Sequence, residues 1–374
     1  METYARSTNP NRVVVGLSGG VDSAVAAALL LEAGFEVQGV ALHLWQAPFA
    51  EARSDPLAGA QAVAVALEIP LTVVDLRARF YREVVQPFAD DYAKGLTPNP
   101  CVYCNPTLKF AALLAAADQA RARWMATGHY ARVKQLPDGS ARLLRAHSSR
   151  KDQSYALYRL TQEQLTRLRL PLGEMQDKAE VRALARHRQL PGAEQRDSQD
   201  LCFLRGGDYR PLIRTLRPDS LQPGPIRNAA GEILGEHRGL PLYTVGQRGG
   251  LGIAAGERLY VLELRPQDNT LVVGPARQLE RGDCLLKAVT FIQGIPPTPH
   301  FEAEVRIRYQ SPPVPATIHI LPGQNAHVTF SAPQRGVAPG QSVVFYQKDV
   351  VMGGGVIAGR KVEVATLPSV KKKL

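Results

Sequence analysis

The sequence predicts an α/β protein that begins with a parallel sheet covered by helices and ends in smaller domains built mainly of β-strands. Between residues 12 and 132, short β-branched runs alternate with alanine- and leucine-rich stretches, which is typical of a parallel sheet with helical connections. After about residue 227, short apolar runs are punctuated by Gly and Pro, which favours antiparallel strands. With 374 residues, the chain also exceeds the roughly 250–300 residues at which a single core stops growing.

The elements follow from these patterns in chain order. The first part is predicted to contain strands at 13–17, 37–44, 71–75 and 124–127 and helices at 22–33, 57–68, 78–93 and 107–122. Pro137-Asp138-Gly139 predicts a hairpin turn, and helical patterns follow at 161–168 and 177–189. The Pro- and Gly-rich segment 217–226 predicts a boundary. Further strands are predicted at 258–264 and 271–273, with a turn at Asp268-Asn269 between them.

The clearest strand is predicted at 303–309, where Ala, Val, Ile and Tyr alternate with Glu304, Arg306 and Arg308. Because successive side chains of a strand point to opposite faces, we expect these charges on a solvent face. We expect three domains, at 1–216, 217–284 and 285–374, of which the last is a small antiparallel barrel followed by a basic tail, Lys371 to Lys373.

Composition excludes several classes of protein. The apolar runs are far shorter than the ~20 residues that a membrane-spanning helix needs, so we expect no membrane partner. The N-terminal stretch is polar and has no signal-peptide core, which predicts a cytoplasmic protein. Four cysteines in so long a chain do not form a disulfide scaffold and favour catalytic, redox or metal-binding roles. The net charge of +11 fits a polyanionic partner such as nucleic acid, and equally a basic enzyme with a solvated surface.

Residues 16–23, GLSGGVDS, predict a phosphate-binding loop between a strand and a helix. Glycines let backbone N–H groups approach an anion, and the helix N-terminus adds partial positive charge. The segment lacks the lysine of a Walker A loop and the glycine spacing of a dinucleotide fingerprint. It therefore suits a diphosphate leaving group, and hence adenylation chemistry. A lone Gly-Gly pair would more often be a plain strand-to-helix turn.

The full string GLSGGVDS resembles the SGGxDS signature of the PP-loop ATP pyrophosphatases. This resemblance implies a Rossmann-like sheet of the adenine nucleotide α-hydrolase kind. It also implies ATP as a substrate, with Mg²⁺, and activation of a substrate oxygen by transfer of AMP. Amino acids, nicotinate derivatives and tRNA pyrimidines all remain possible acceptors at this point.

The cysteines divide into three settings. Cys101 and Cys104 lie in LTPNPCVYCNPTLKF, where Pro and Asn predict a loop just before a helix at 107. Proximity to a helix N-terminus and to Lys109 predicts a lowered thiol pKa. Cys202 lies in another polar, glycine-bounded stretch, and Cys284 lies in a strand-like run where we expect a packing role. Alternatives for the first pair are half of a zinc site, whose second half is missing, and inert buried thiols.

Seven strings together resemble the bacterial tRNA-specific 2-thiouridylases: GLSGGVDS, TPNPCVYCN, ATGHYAR, RKDQSYAL, DSQDLCF, YTVGQRGGLGI and VMGGGVI. They span nearly the whole chain, and five of them are not general PP-loop features. The resemblance implies ATP-dependent 2-thiolation of uridine at the wobble position of tRNA. The implied partners are tRNA and a sulfur-donor protein, either a cysteine desulfurase or a sulfur carrier.

The resemblance also implies site residues. Cys104 would be the catalytic cysteine of the first loop, and Cys202 would carry a persulfide. No metal ligands are implied. The implied ATP site comprises Gly16, Leu17, Ser18, Gly19, Gly20, Val21, Asp22, Ser23, Leu42 and Gly128. The implied tRNA contacts are Asn99, Pro100 and Cys101 at the target base, with His129, Lys151, Asp152, Gln153, Arg308, Tyr309 and Gln341 elsewhere.

Cys101 departs from some family members, which carry Asp there, so it is not expected to be the essential thiol. Two other classes of function compete with this reading. A PP-loop ligase or amidotransferase acting on a small metabolite would explain ATP binding, but not the paired cysteines. An RNA-binding or chaperone module with a vestigial nucleotide site would explain only the positive charge.

Overall fold

The computed structural model describes residues 8–45, 55–194, 201–204, 207–253 and 256–359. In the first part of the chain the strands are β1 (Asn9–Gly16), β2 (Glu36–His43), β3 (Leu71–Asp75), β4 (Ala122–Ala126), β5 (Ala131–Gln135), β6 (Ala141–Arg145) and β7 (Leu168–Arg169). The helices are α1 (Val21–Glu32), α2 (Ala58–Ala66), α3 (Arg77–Phe80), α4 (Gln86–Ala93), α5 (Cys101–Cys104), α6 (Phe110–Gln119), α7 (Gln162–Leu165), α8 (Lys178–His187) and α9 (Arg210–Leu216).

A parallel sheet forms the N-terminal domain, with strand order β3-β2-β1-β4-β7. Its central strand β1 contributes Val13, Val14 and Val15, which are fully buried because helices cover both faces of the sheet. Helix α1 follows β1 directly and buries most of its alanine-rich length. The predicted α/β class is confirmed, and the four strands predicted in this part occur at the expected places.

The helix that carries Cys101 and Cys104 begins earlier than predicted. Helix α5 starts directly after Pro100, continues through a π-helical turn at Asn105–Lys109 and runs into α6. The prediction of a loop up to residue 107 was wrong because Pro106 looked like a helix breaker. A proline removes one backbone donor, and the wider π-helical turn accommodates that loss without ending the helix.

The central domain is a four-stranded sheet built from β8 (Gly224–Asn228), β9 (Ile233–His237), β10 (Leu259–Arg265) and β11 (Thr270–Pro275). The predicted turn between β10 and β11 is confirmed, and Asn269 adopts the left-handed conformation there with φ +47°. Asparagine tolerates that conformation better than most residues do. The side-chain amide of Asn269 also donates to the carbonyl of Pro223 at 2.8 Å, which ties the turn to the start of β8.

The C-terminal domain is the predicted antiparallel barrel. Its strands are β12 (Glu280–Phe291), β13 (His300–Arg306), β14 (Val314–Leu321), β15 (Asn325–Arg335), β16 (Ser342–Gln347) and β17 (Val350–Ile357). Strand β12 pairs with both β15 and β17, and this double pairing closes the barrel. Cys284 lies in the barrel core and is 9% exposed, which confirms its predicted packing role. The basic tail at 371–373 lies outside the described residues.

The charged face predicted on the strand at 303–309 is a solvent face only in part, because its central residue is buried against the N-terminal part of the chain. Arg306 is 9% exposed, and its Nη1 donates to Asp152 at 3.0 Å. Glu304 accepts a hydrogen bond from Arg145 at 2.9 Å, while Arg308 is exposed as expected. A period of two distinguishes the two faces of a strand, but it does not show whether water or another domain covers each face.

The hairpin of β5 and β6 belongs to the N-terminal part of the chain but joins the barrel sheet. Its turn at residues 137–139 was predicted, and its pairing with β17 through Leu144 and Val350 was not. The hairpin thus connects the nucleotide-binding domain to the barrel. None of the helices in the described ranges has the length and apolarity that crossing a bilayer requires.

Candidate nucleotide and thiol site

The predicted phosphate loop lies at the carboxyl end of β1 and leads into α1. Gly19 has φ +79°, and a Cβ there would lie 2.7 Å from the backbone of Gly59 at the start of α2. Gly20 is the N-cap of α1, and among the described residues no side chain caps this helix. The first N–H groups of α1 are therefore available to an anion, as in other phosphate sites at helix N-termini.

Two serine hydroxyls set the shape of this loop. The backbone N–H of Ser18 donates to Ser23 Oγ at 3.2 Å, and Ser23 Oγ donates to the carbonyl of Gly20 at 2.9 Å. These bonds close the loop on itself. The hydroxyl of Ser23, which was expected to lie beside bound phosphates, thus also fixes the backbone of the loop.

The other predicted nucleotide residues lie at the same edge of the sheet. A Cβ on Gly128 would lie 2.6 Å from the carbonyl carbon of Asp22, so only glycine allows the end of β4 to approach the start of α1 this closely. Leu42 is half-buried near the carboxyl end of β2, the neighbour of β1. The carboxyl edge of a parallel sheet is where such folds bind nucleotides.

Asp22 is the centre of a polar cluster that the sequence did not reveal. Its Oδ1 accepts from the hydroxyl of Tyr130 and from Nζ of Lys178, each at 2.6 Å. Lys178 is the first residue of α8 and lies 156 positions from Asp22. The positive charge that a Walker A lysine would supply is thus brought to the loop by a distant helix. Tyr130 lies in the ATGHYAR string, whereas no local signal marks Lys178.

The three cysteines with predicted roles lie close enough for their charges to interact. Cys104 is 3% exposed, Cys101 is half-buried, and Cys202 is exposed. The residue after Cys202, Phe203, packs edge-on against Phe80 and Phe88, with ring centroids 5.7 and 5.1 Å apart. This cluster also contains Cys104. Phe203 therefore anchors the Cys202 segment beside a thiol 98 positions earlier in the chain.

The pKa values of the Cys101 and Cys104 thiols are raised, so the expectation of a lowered pKa was wrong. Burial raises the pKa of Cys104 to about 12, and Lys109 opposes this rise while the sulfur charges of Cys202 and Cys101 add to it. Burial also raises the pKa of Cys101. For both thiols, desolvation by burial is a larger effect than the favourable charge of Lys109. For Lys109 burial lowers the pKa, but the charges of Cys202, Cys104 and Cys101 prevail and raise it.

His129 connects the thiol cluster to the phosphate loop. Burial lowers the pKa of His129 to about 3, and the nearby charge of Lys109 lowers it further. Its Nδ1 lies 2.7 Å from Oγ1 of Thr127, and its ring is 5.6 Å from that of Phe110. The neighbouring Gly128 contacts Asp22 at the same time. Segment 127–130 thus lies next to both the phosphate loop and the thiol cluster. The imidazole that it carries, that of His129, is neutral at physiological pH.

The residues implied to contact tRNA fall into two groups. Arg308 and Tyr309 are exposed, and Lys151 is half-buried. Asn99 and Gln341 instead use their side chains within the protein: Asn99 bonds to the hydroxyl of Tyr155, and Gln341 Nε2 donates to the carbonyl of Thr97 at 2.9 Å.

Asp152 and Gln153 also make internal bonds. The Asp152 side chain is 1% exposed and accepts from Arg306 and from the backbone N–H of Ser154. Gln153 Oε1 accepts from the backbone N–H of Tyr130 at 2.9 Å. In this structure the Asp152 carboxylate is not accessible to RNA, and its charge would repel phosphate. We therefore assign Asp152 to the domain interface.

Cys101 and Cys104 have the two-residue spacing of half a zinc site. Within the part of the chain that the structure describes, no group of three or more His, Cys, Asp or Glu side chains is arranged to hold a metal ion. The first four residues of the string DSQDLCF, at 197–200, lie outside the described residues and are not included in this statement.

Three family models match consecutive parts of the chain. They are described as a tRNA methyl transferase HUP domain at residues 11–206, a tRNA methyl transferase PRC-barrel domain at 214–275 and an aminomethyltransferase β-barrel domain at 281–357. Curated relatives similar to the chain over nearly its whole length are each named tRNA-specific 2-thiouridylase MnmA.

The relative from Roseiflexus castenholzii is 45% identical over 368 residues, which cover 93% of this chain and 99% of the relative. The relative from Chloroflexus aurantiacus is 46% identical over 352 residues, covering 92% and 98% of the two chains. The relative from Magnetococcus marinus is 44% identical over 357 residues, covering 94% and 99%. With this similarity along all three domains, and with the phosphate loop and paired thiols in place, the protein belongs to the tRNA-specific 2-thiouridylase family of sulfurtransferases.

Proposed function

We propose that this protein replaces the C2 oxygen of the wobble uridine of tRNA with sulfur and converts ATP to AMP and diphosphate. The relatives' name supports tRNA as the substrate and 2-thiouridine as the product. The observation that carries the mechanism is the arrangement around segment 127–130. Gly128 contacts Asp22 of the phosphate loop, while His129 lies within the electrostatic influence of Lys109, which interacts with Cys104 and Cys202.

Activation of the base comes first. The C2 carbonyl of uridine is a poor electrophile because its oxygen is a poor leaving group in a urea-like ring. That oxygen attacks the α-phosphorus of ATP, a new P–O bond forms, and the bond to the β-phosphate breaks to release diphosphate. The N–H groups at the start of α1 and the ammonium of Lys178 stabilise the negative charge of the leaving diphosphate.

Asp22 orients this electrostatic arrangement. Its carboxylate holds Lys178 and Tyr130 through Oδ1, so the cation is fixed before ATP binds. A carboxylate is also the kind of ligand that Mg²⁺ takes alongside phosphate oxygens, and Asp22 is placed to provide it. Mg²⁺ bound with ATP would neutralise phosphate charge.

Sulfur delivery uses the two thiols. Cys202 is exposed, which suits loading of a persulfide by a cysteine desulfurase or a sulfur carrier. The terminal sulfur then reaches C2 and AMP leaves with the former carbonyl oxygen. In direct attack the outer sulfur bonds to C2 as AMP leaves, and Cys104 then attacks Sγ of Cys202, which breaks the S–S bond and frees 2-thiouridine. In the other route Cys104 attacks Sγ of Cys202 first and releases hydrosulfide, which then attacks C2 as AMP leaves. Cys104 and Cys202 end as a disulfide, which a cellular dithiol must reduce before the next turnover.

The raised pKa of Cys104 protects the persulfide on Cys202 from premature attack. At neutral pH the Cys104 thiol is almost wholly protonated, so it is a weak nucleophile in the resting protein. A persulfide on Cys202 is therefore not lost to Cys104 before the base is in place. We expect the thiolate to form only when substrate binding changes the charge or the solvation around Lys109.

Recognition of RNA would involve a base turned out of the anticodon loop, because sequence-specific RNA readout favours unstacked bases. The segment 99–101 ends three positions before Cys104 and is the proposed place of the target base. The exposed Arg308 and Tyr309, together with Lys151, are proposed contacts for the tRNA backbone and neighbouring bases.

A reconstituted reaction tests the proposal. Purified protein is incubated with ATP, cysteine, a cysteine desulfurase and anticodon-bearing tRNA, and the nucleosides are analysed by mass spectrometry. We expect 2-thiouridine with the wild type and with Cys284→Ala, the matched control, and none with Cys104→Ser or Cys202→Ser. Near-normal thiolation in either of the last two variants would contradict their roles. AMP release with small acids or amides in the absence of tRNA would instead favour a small-molecule ligase.

A further inference from the structure

The barrel holds the backbone just ahead of the thiol-bearing helix. The N–H of Thr97 donates to the carbonyl of Pro339 at 2.7 Å, and the carbonyl of Thr97 accepts from Gln341 Nε2 at 2.9 Å. Both backbone groups of Thr97 are thus bonded to the turn between β15 and β16. This turn belongs to the C-terminal domain, whereas Thr97 lies four positions before Cys101.

The chain between Thr97 and the thiols is short and conformationally restricted. Pro98 and Pro100 have no N–H, and each restricts the conformation of the residue before it. The helix then begins at once, since the N–H of Cys104 donates to the carbonyl of Pro100 at 2.9 Å. A displacement of Thr97 is therefore transmitted to Cys101 and Cys104 with little slack.

The barrel turn is itself fixed. The N–H of Gly340 donates to the carbonyl of Ile357 at 3.0 Å, and the N–H of Ile357 donates to the carbonyl of Gln341 at 2.8 Å. The hydroxyl of Tyr155 donates to the carbonyl of Ser342 at 2.7 Å and also bonds to Asn99. The contact to Thr97 is thus made by a braced element, with a second connection two residues along the same segment.

Gly340 allows the close approach. Its φ is +94°, and a Cβ at this position would lie 2.9 Å from both the N and the O of Thr97. Any side chain would strain the backbone of the turn and push against Thr97. Glycine is required here by contact with the thiol segment as well as by the conformation of the turn.

We propose that the turn 339–341 of the barrel is a clamp that sets the position of the thiol-bearing helix, with Gly340 and Gln341 as positioning residues. Gln341 then acts on the reaction through Thr97, and not only as the tRNA contact that the family resemblance implies. RNA that binds the barrel near this turn would alter the thiol site directly. The effect on turnover rests on the proposed function, but the effect on thiol accessibility does not.

The first test uses Gly340→Ala in the full-length protein, with Gly294→Ala as the matched control. Gly294 also has a positive φ, +82°, but a Cβ there would meet nothing within 4 Å. Alkylation of Cys101 and Cys104 by N-ethylmaleimide under native conditions is followed by peptide mass spectrometry. We expect Gly340→Ala to raise the Cys104 rate about tenfold and to lower the kcat for 2-thiouridine by about 10- to 100-fold, as small misplacements of reacting groups do. The control should change neither.

The second test replaces the donor amide of Gln341 with a carboxylate of the same shape. Gln341→Glu cannot donate to Thr97, and Gln324→Glu makes the same chemical change at an exposed barrel turn. We expect faster Cys104 alkylation and a lower kcat in Gln341→Glu alone. This variant decides the question if Gly340→Ala does not fold.

Two outcomes would overturn the clamp. One is an alkylation rate in Gln341→Glu equal to that of its control. The other is a defect confined to the KM for tRNA, which would make Gln341 a tRNA contact only. Faster alkylation in a protein that makes no 2-thiouridine under any condition would keep the clamp and reject the proposed function.

Discussion

Replacing Arg306 with leucine should weaken the contact between the barrel and the nucleotide-binding domain strongly. The variant removes the partner of Asp152, whose side chain is 1% exposed and lies 3.0 Å from Arg306 Nη1. Leaving one member of a buried ion pair alone costs about 3–5 kcal/mol. Oδ1 of Asp152 keeps the N–H groups of Ala146 and Ser154, each at 3.1 Å, so we expect the lower end of this range, about 3 kcal/mol.

The assay is urea unfolding of the full-length protein, followed by probes in each domain because a multidomain chain need not unfold in one step. The double variant Asp152→Asn/Arg306→Leu removes both charges and should recover most of the loss, to within about 1 kcal/mol of wild type. A change of less than about 0.5 kcal/mol in Arg306→Leu is what an exposed surface residue would show, and it would refute the buried interface.

Three further predictions concern the site. Alkylation of Cys104 should accelerate tenfold per pH unit from pH 7 to 10 without a plateau. Burial raises the pKa of this thiol to about 12, so the reactive thiolate is scarce throughout that range. A plateau near pH 9 would indicate an ordinary thiol. Lys178→Met keeps much of the side-chain length but removes the charge that is bonded to Asp22 of the candidate phosphate loop. It should slow tRNA-dependent diphosphate release by about 100-fold, the scale of losing one electrostatic donor. An unchanged rate would exclude Lys178 from the ATP site. Affinity for tRNA should fall steeply with salt, as the net charge of +11 suggests, and filter binding that shows a flat dependence would mean that few phosphate contacts form.

Local patterns predicted most of the fold. The alternation of β-branched and alanine-rich runs identified the parallel sheet, and the glycine-bounded strands identified the barrel. The pairing of the β5–β6 hairpin with β17 was not predictable, because strands separated by some 200 residues leave no mark on each other's periodicity. For the same reason Arg306 looked like a solvent residue, although its partner is Asp152 in another domain.

A contiguous string is enough to locate a candidate site. The string GLSGGVDS marks the candidate phosphate loop, and the resemblance of TPNPCVYCN to the family implies the role of Cys104. Lys178 could not, because only the fold brings it within 2.6 Å of Asp22. The direction of the thiol pKa shift was also inaccessible, since it depends on whether burial or the charge of Lys109 is the larger effect, and burial cannot be deduced from the neighbours of a cysteine in the sequence.

Transfer of an isotopic label tests adenylation of the base most directly. The tRNA is prepared with ¹⁸O at C2 of the target uridine and allowed one turnover with ATP and persulfide-loaded protein. If the C2 oxygen attacks the α-phosphorus and leaves with it, each 2-thiouridine formed must be matched by one AMP carrying ¹⁸O. AMP without label, with the ¹⁸O found in water or retained in tRNA, would contradict activation of the carbonyl by nucleotide transfer.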